Sequence, residues 1–379
     1  MAIETNYWTR KSPFFEATVR AGCGGFSVAN HMYQPHSYAD PQEEYRHLTE
    51  GVTLWDVATE RQVEITGPEA PAFVDLLTPR DISTCPVGRG RYLVVTSAEG
   101  GIVNDPVLFR LSDRHFWMSA SDSDLILWAK GVAVFADLKV SICEPDVSPL
   151  QIQGPKSPAV IEALFGERGR GLKFYEIRDL DLDGIPVMLS RSGWSGEVGF
   201  EIFLRDGRHG EALWERIMAA GRPQGIVATG PSDIRRFEAG ILGYGCDISL
   251  DVNPYEAGLD WMLEPMKSAD FIGKAALERI KEEGVARRLA GIQLDGDPLP
   301  IGAFQDRWTA LKGGERIGEV TGAVYSPRLA TNIGYAMLKT DFSVLGPSFT
   351  VETPFGRTGA RVVKKPFIAR AEPADAQTI

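Results

Sequence analysis

The sequence predicts an α+β protein in which two related halves are followed by a separate all-β unit. The first observation is a weak internal repeat, because residues 62–77 and residues 150–164 both fit a strand, a Gly-Pro turn and an amphipathic helix. The second is a glycine-rich hairpin after each copy of the repeat. The third is a change, from Arg287 onward, to short alternating apolar runs separated by glycine and proline. We therefore predict three domains, at residues 1–146, 147–285 and 286–379.

Each hairpin carries one acid inside the apolar run of its returning strand. The first hairpin spans residues 92–110 and contains Asp105, and the second spans residues 187–204 and contains Glu201. If the two halves pair about a pseudo-twofold axis, we expect both acids to face one central cleft.

Glu201 lies in a strand that is apolar on both faces. By the period of two, Phe200, Ile202 and Leu204 share one face, and Phe203 shares the other with Glu201. We therefore expect Glu201 to be buried, and a buried carboxylate needs hydrogen-bond donors or a cation. A ring with paired N–H groups, such as a pterin, satisfies that need. The alternative is a structural carboxylate held by the backbone or by an arginine.

A helix is predicted from about Gly230 to Gly240, because residues 231–233 are typical of a helix start and Gly240 of a helix end. Among the charged residues of this helix, Arg236 is the candidate for a functional role. A surface ion pair or a fully solvated guanidinium is the alternative role for it.

The composition excludes several classes of function. A net charge of −11 and a pI near 5.1 argue against nucleic-acid and membrane-surface partners. No run of about eighteen apolar residues is present, so no membrane span is expected. The cysteines are far apart and no signal segment is apparent, so we expect a cytoplasmic protein with reduced thiols. The histidines form no metal-binding motif, so no metal site is predicted.

Seven short motifs, in order along the chain, resemble those of the folate-dependent aminomethyltransferase family, whose founding member is the T-protein of the glycine cleavage system. They are WDV at 55–57, GGIVND at 100–105, QGP at 153–155, SGWSGEVGFE at 192–201, RFEAG at 236–240, NPYEAG at 253–258 and IGEVTG at 317–322. The resemblance implies an aminomethyltransferase-like fold, in which two related α+β folate-binding domains and a C-terminal β-barrel or jelly-roll domain surround a central tetrahydrofolate site.

Within that family, the chain is most similar to the bacterial dimethylsulfoniopropionate demethylases, over residues 30–32, 43–45, 55–58, 60–65, 104–106, 122–124 and 191–194. Where T-proteins have Asp-Val-Ser-His-Met, this chain has Asp-Val-Ala-Thr-Glu, which ends at Glu60. Where they have Thr-Gly-Tyr-Thr-Gly-Glu, it has Ser-Gly-Trp-Ser-Gly-Glu, which includes Trp194. These departures argue against an aminomethyl-lipoyl substrate.

Two other departures concern contacts that the resemblance does not carry over. Phe203 stands where the demethylases have a tyrosine, two residues after the pterin-binding glutamate. Residues 366–370 continue as Pro-Phe-Ile-Ala-Arg, whereas the T-protein has a folate-contacting tyrosine just beyond this point.

The resemblance assigns folate-site positions to Tyr92, Asp105, Glu201 and Arg236. By this resemblance, Glu201 is expected to accept two N–H bonds from the pterin edge. Asp105 is expected to lie near N5, the atom that changes covalency, where it would orient N5 and stabilise the developing positive charge. Arg236 is expected either to contact the cofactor or to fix Glu201.

The implied reaction is methyl transfer from a small methylated donor to N5 of tetrahydrofolate, with dimethylsulfoniopropionate as the first candidate. Trp194 and Glu60 are the expected contacts for a cationic donor. The alternatives are core packing for Trp194 and an ion pair of Glu60 with Arg61 or another nearby arginine.

Demethylation of a methylated amine or a methoxy compound is a second hypothesis. A methoxy donor needs a proton donor, for which Tyr33 and His31 are the candidates. A glycine-cleavage-type aminomethyltransferase is a third. A non-catalytic folate-binding protein is a remote fourth, because the Lys-Gly-Cys-Tyr-x-Gly-Gln motif of such proteins is missing. The oligomeric state stays open.

Overall fold

The computed structural model describes residues 5–300, 306–346 and 348–371, and it contains both helices and largely antiparallel sheets. In chain order, the strands are β1 Gly25–Ala29, β2 Met32–Ser37, β3 Thr53–Asp56, β4 Gln62–Thr66, β5 Arg89–Tyr92, β6 Val95–Thr96, β7 Ile102–Asn104, β8 Val107–Ser112, β9 His115–Ser119, β10 Ser141–Cys143, β11 Ser148–Gln153, β12 Ile177–Leu182, β13 Ile185–Ser190, β14 Gly199–Leu204, β15 Val227–Ala228, β16 Arg287–Leu294, β17 Trp308–Lys312, β18 Glu315–Ser326, β19 Thr331–Lys339, β20 Ser348–Thr353 and β21 Gly356–Val363. The helices are α1 Phe15–Arg20, α2 Pro41–Glu50, α3 Ala70–Leu77, α4 Leu125–Phe135, α5 Ser157–Phe165, α6 Gly210–Gly221, α7 Asp233–Glu238, α8 Pro254–Ala257 and α9 Lys274–Glu283.

The first sheet has five strands in the order β10-β4-β9-β8-β5. It contains the first copy of the predicted repeat, as strand β4 followed by helix α3. The predicted hairpin is present, because β5 pairs with β8 and β6 with β7. Its returning strand is interrupted, however, and Asp105 lies between β7 and β8. The next residue, Pro106, has no N–H to donate to a ladder, which explains the interruption.

The second sheet has six strands in the order β12-β13-β14-β11-β3-β15. It contains the second copy of the repeat, as strand β11 followed by helix α5. Strand β3 belongs to this sheet, where it pairs with β11 through Asp56 and Leu150. Because β3 precedes the whole first sheet in the chain, the domain boundary proposed at residue 146 does not coincide with the division between the two sheets.

A small, mainly aromatic cluster joins the two sheets. It consists of Phe109 and Trp117 from the first sheet and Met188 and Phe203 from the second. The ring centroids of Phe109 and Phe203 are 5.3 Å apart. Phe203 therefore packs between the sheets, which accounts for an apolar residue at this position.

The C-terminal unit is a closed barrel in the order β16-β19-β18-β17-β20-β21, and it begins at Arg287 as predicted. Its interior contains the buried side chains of Ile292, Trp308, Val320 and Leu338. The predicted α+β class with a separate barrel is confirmed. Within the described ranges, no helix is long and apolar enough to cross a bilayer.

Candidate functional site

A cavity of about 800 Å³ lies between the two sheets, helix α7 and the segment at residues 365–370. That volume is within the range of small-molecule sites in proteins. Six of the eight predicted site residues line the cavity, namely Glu60, Tyr92, Asp105, Trp194, Glu201 and Arg236. The cavity is therefore the candidate site.

Glu201 is buried, with 5% of its surface exposed, as its strand pattern predicts. Its Oε1 atom accepts a hydrogen bond of 2.8 Å from Gln151 Nε2, and its Oε2 atom accepts one from the Ser192 hydroxyl. Burial raises the pKa of Glu201, while these two donors lower it. Because both donors are neutral, the carboxylate is not held by an arginine and keeps its capacity to accept bonds from a ligand.

Asp105 is held by two hydroxyl groups. Tyr92 Oη donates to its Oδ2 atom over 2.9 Å, and Ser121 Oγ donates to its Oδ1 atom. Burial raises the pKa of Asp105 to about 6, although the two hydroxyl donors favour its charged form. With this pKa, Asp105 is a carboxylate at neutral pH and becomes protonated as the pH falls through about 6.

Glu60 is half-buried at the cavity wall, and its Oε1 atom accepts a hydrogen bond of 3.2 Å from Gln151. Its neighbour Arg61 pairs with Glu144 instead, so the predicted alternative of a Glu60–Arg61 ion pair is wrong. Burial, followed by the charges of Glu201 and Asp105, raises the pKa of Glu60 well above its usual range. Throughout the described chain, no cationic side chain forms an ion pair with it.

Arg236 is buried, which contradicts the predicted alternative of a surface guanidinium. It forms ion pairs with Asp233 at 3.0 Å and Asp247 at 2.9 Å. Burial lowers its pKa, but the two carboxylates more than reverse this effect and raise it. Arg236 therefore does not fix Glu201, and its charge is already neutralised within the protein.

Trp194 is half-buried at the cavity wall, so its ring is not ordinary core packing. Arg236 Cζ lies 5.8 Å from the ring centroid, within the range of a cation–π contact. The Trp194 backbone N–H donates to Gln151 Oε1 over 3.3 Å.

The structure does not bring Tyr33 and His31 into the cavity, so their predicted role as proton donors to a substrate is not supported. Tyr33 Oη accepts a bond of 2.7 Å from the Asn6 backbone N–H. His31 is exposed in the turn between β1 and β2, where its Nε2 atom is 3.4 Å from Asp124. Neither residue lines the cavity, whereas Asn30 and His36 from the same hairpin do.

Gln151, Lys365 and Arg370 are among the cavity-lining residues that were not predicted from sequence. Burial lowers the pKa of Lys365 to about 8. Arg370 donates from Nε to the Ala239 carbonyl over 3.0 Å. Neither cation forms an ion pair within the part of the chain that the structure describes. The same part contains no cluster of three potential metal ligands.

Family models match most of the chain. The model described as GCVT N-terminal domain matches residues 14–267, and that described as glycine cleavage T-protein C-terminal barrel domain matches residues 287–368. The second match coincides with the barrel.

Curated relatives match over nearly their whole length. The chain is 37% identical to dimethylsulfoniopropionate demethylase DmdA of Ruegeria pomeroyi over 347 residues, which cover 92% of this chain and 94% of the relative. It is 31% identical to an aminomethyltransferase of Geobacillus sp. (strain WCH70), with 96% of this chain and 100% of the relative covered.

A solved structure shares the fold. The crystal structure of glycine cleavage system aminomethyltransferase T from Bartonella henselae matches with a TM-score of 0.85, at 24% identity and over 95% of this chain and 98% of the other. The family models, the full-length relatives and this common architecture agree with the sequence motifs. The chain therefore belongs to the folate-dependent aminomethyltransferase family of the glycine cleavage T-protein.

Proposed function

We propose that this protein transfers a methyl group from a small cationic donor to N5 of tetrahydrofolate, and that the donor is dimethylsulfoniopropionate. The observation that carries the proposal is Glu60, a cavity carboxylate without a cationic partner in the described chain. A carboxylate in a site of low dielectric favours a ligand of opposite charge. The 37% identity to a dimethylsulfoniopropionate demethylase supports the same donor.

The residues fit a pterin at the Glu201 side of the cavity. Glu201, Gln151 and Trp55 occupy paired positions on β14, β11 and β3, so their side chains form one row on one face of the sheet. Glu201 offers acceptor oxygens. The Trp55 indole N–H is buried and has no hydrogen-bond partner within the described residues. The row thus presents an acceptor and a donor to the edge of a flat heterocycle.

Bound tetrahydrofolate would supply N5, a neutral secondary amine that would accept the methyl group as the S–CH₃ bond breaks and would then release its proton to solvent. The sulfur leaves a sulfonium donor as a neutral sulfide, so the protein needs no acid for this step. Asp105 places a negative charge in the cavity, where it stabilises positive charge that develops as the new bond forms. Tyr92 and Ser121 orient that carboxylate. Holding both reactants in one cavity recovers roughly 7–11 kcal/mol of barrier in well-oriented systems.

Lys365 and Arg370 are suited to carboxylate groups of the ligands. Both line the cavity, and neither is neutralised by a carboxylate of the described chain. The glutamate tail of folate and the carboxylate of dimethylsulfoniopropionate both need such a cation. We propose that these two residues bind ligand carboxylates.

O-demethylation of a neutral methoxy compound is the second candidate function, and the raised pKa of Glu60 favours it. A protonated Glu60 can donate its proton to a departing alkoxide, the role that Tyr33 and His31 do not fill. The two functions require different charge states of Glu60, namely the carboxylate for a cationic donor and the neutral acid for a methoxy donor.

A panel of donors separates these functions. The protein is incubated with tetrahydrofolate and with matched sulfonium, quaternary ammonium and methoxy compounds, and 5-methyltetrahydrofolate is quantified by mass spectrometry. We expect product from the sulfonium. Product from the methoxy compound, with none from either cation, would assign the second function instead.

Replacement of Trp194 by leucine is expected to raise the Michaelis constant for dimethylsulfoniopropionate by about 3- to 30-fold, because a cation–π contact is worth roughly 0.5–2 kcal/mol. The Michaelis constant for any neutral donor that reacts should change much less. Trp8→Leu is the control, since Trp8 is 72% exposed and does not line the cavity. Equal effects of Trp194→Leu on charged and neutral donors would contradict a cation–π role.

Turnover is expected to decrease as the pH falls through about 6, the pKa to which burial raises Asp105. The sign follows from the charge: a lower pH protonates the carboxylate and removes the negative charge that the reaction uses. The measurement is kcat between pH 5 and pH 8 at saturating substrates. The acidic decline attributable to Asp105 should disappear in Asp105→Asn, and a parent profile that is flat below pH 6 would contradict this role.

A further inference from the structure

Gln151 lies between the two carboxylates of the cavity. Its side chain is buried, and its Nε2 atom lies 2.8 Å from Glu201 Oε1 and 3.2 Å from Glu60 Oε1. Its Oε1 atom accepts a bond of 3.3 Å from the Trp194 backbone N–H. Both donors of this amide and its carbonyl are therefore engaged, each by a different residue.

These partners fix the orientation of the Gln151 amide. Turning it over would place its carbonyl oxygen against two carboxylates and its NH₂ group against a backbone N–H, and each of these contacts is repulsive. Its backbone is equally restrained, because β11 pairs with β14 on one side and β3 on the other. The position and orientation of the Gln151 amide are therefore fixed within the sheet.

An amide at this position differs from a cationic side chain in its effect on the two carboxylates. It donates one hydrogen bond to each carboxylate without neutralising either of them. The two bonded oxygens share one nitrogen, so they are no more than about 6 Å apart, close enough for like charges to disfavour each other. Within the described chain, neither Glu60 nor Glu201 has an ion-pair partner that would cancel this repulsion. A cationic ligand bound here would offset the repulsion and favour the charged form of Glu60.

We propose that Gln151 is a positioning residue that assigns the two carboxylates to different ligands. It fixes Glu201 for the N–H groups of the folate and holds Glu60 for the positive charge of the methyl donor. The inference rests on the proposed function, which it deepens by naming the residue that sets selectivity for a cation. Loss of Gln151 should weaken the binding of both ligands, whereas loss of the Glu60 charge should weaken only that of the donor.

The test uses two ligands of nearly the same shape, 3-trimethylammoniopropionate and 4,4-dimethylpentanoate, which differ in the charge of the quaternary centre. Calorimetry gives the dissociation constant of each. We expect the parent protein to prefer the cation by about 10-fold or more, in line with the value of one charged contact. Gln151→Met keeps the side-chain length without the donors, and Glu60→Gln removes the charge. Both variants should reduce the preference to less than about 3-fold.

Tetrahydrofolate binding separates the two variants. Its dissociation constant should rise about 10-fold in Gln151→Met and stay within about 2-fold of the parent value in Glu60→Gln. Gln293→Met is the matched control, because Gln293 lies in the barrel, bonds Thr331 and Arg361, and does not line the cavity. It should change the dissociation constant of neither ligand.

The outcomes distinguish this inference from the proposed function. A parent protein without preference for the cation would contradict the proposed donor class. A parent preference that Gln151→Met retains would overturn the role of Gln151 and leave the donor class standing. If Gln151→Met does not fold, Gln151→Asn replaces it, since its shorter amide cannot reach both carboxylates. The ratio of the dissociation constants of the two matched ligands then tests the role of Gln151 in the same way.

Discussion

Asp105→Asn is expected to reduce turnover by about 10²- to 10³-fold, the usual cost of losing one preorganised group that stabilises transition-state charge. The substitution is nearly isosteric. The amide can still accept from Tyr92, and its NH₂ group can donate to the Ser121 hydroxyl oxygen, which replaces the present bond from Ser121. We therefore expect the fold and the affinity for tetrahydrofolate to change little. Single-turnover kinetics and calorimetry on the same preparation measure the two effects separately.

The control for this variant is Asp113→Asn, at a surface acid whose side chain is 86% exposed beside Arg110. It should retain the parent rate. If Asp105→Asn also turns over at the parent rate, Asp105 has no part in the reaction. If its rate falls only in proportion to a loss of folate affinity, Asp105 is a binding residue and the charge-stabilising role is wrong.

Glu201→Gln is expected to weaken tetrahydrofolate binding by about 10- to 100-fold, because a hydrogen bond to a charged group is worth roughly 1.5–3 kcal/mol. An amide presents one acceptor, which Gln151 already occupies, and an NH₂ group that opposes the N–H groups of a pterin. The protein itself should remain folded, since the new NH₂ group can donate to the Ser192 hydroxyl.

Calorimetric titration with tetrahydrofolate measures this effect. Glu60→Gln is the matched control, as the same chemical change on the other carboxylate that bonds Gln151. We expect it to leave the folate affinity nearly unchanged. An unchanged affinity in Glu201→Gln would remove Glu201 from the folate site.

The sequence predicted those features that depend on local pattern. The alternation around Glu201 predicted its burial, because a period of two assigns faces without knowledge of the neighbouring strands. The repeat of strand, turn and helix and the start of the barrel at Arg287 were also predicted correctly, because they too depend on local sequence pattern. Asp105 was placed correctly in the returning arm of its hairpin, but the interruption at Pro106 was not foreseen.

Features that depend on distant pairing were missed. Strand β3 pairs with a strand about one hundred residues later, and no local pattern encodes that partner. The Arg236 charge was identified, but its partner Asp247 lies in a loop beyond the helix. Gln151 was overlooked because nothing in its own strand indicates that Glu60 and Glu201, which are distant in sequence, lie beside it. His31 was misassigned because the conformation of one turn decides where it points.

The transfer of an intact methyl group to tetrahydrofolate is the central claim, and one isotope measurement tests it most directly. Dimethylsulfoniopropionate with fully deuterated S-methyl groups is mixed with tetrahydrofolate and the protein, and the folate products are analysed by mass spectrometry. We predict 5-methyltetrahydrofolate that carries all three deuterium atoms of one methyl group, with methylthiopropionate as the second product. A methylene-folate product, or methyl-folate that has lost deuterium, would contradict direct transfer and indicate chemistry of the aminomethyltransferase type. No labelled folate at all would contradict the assignment of this donor.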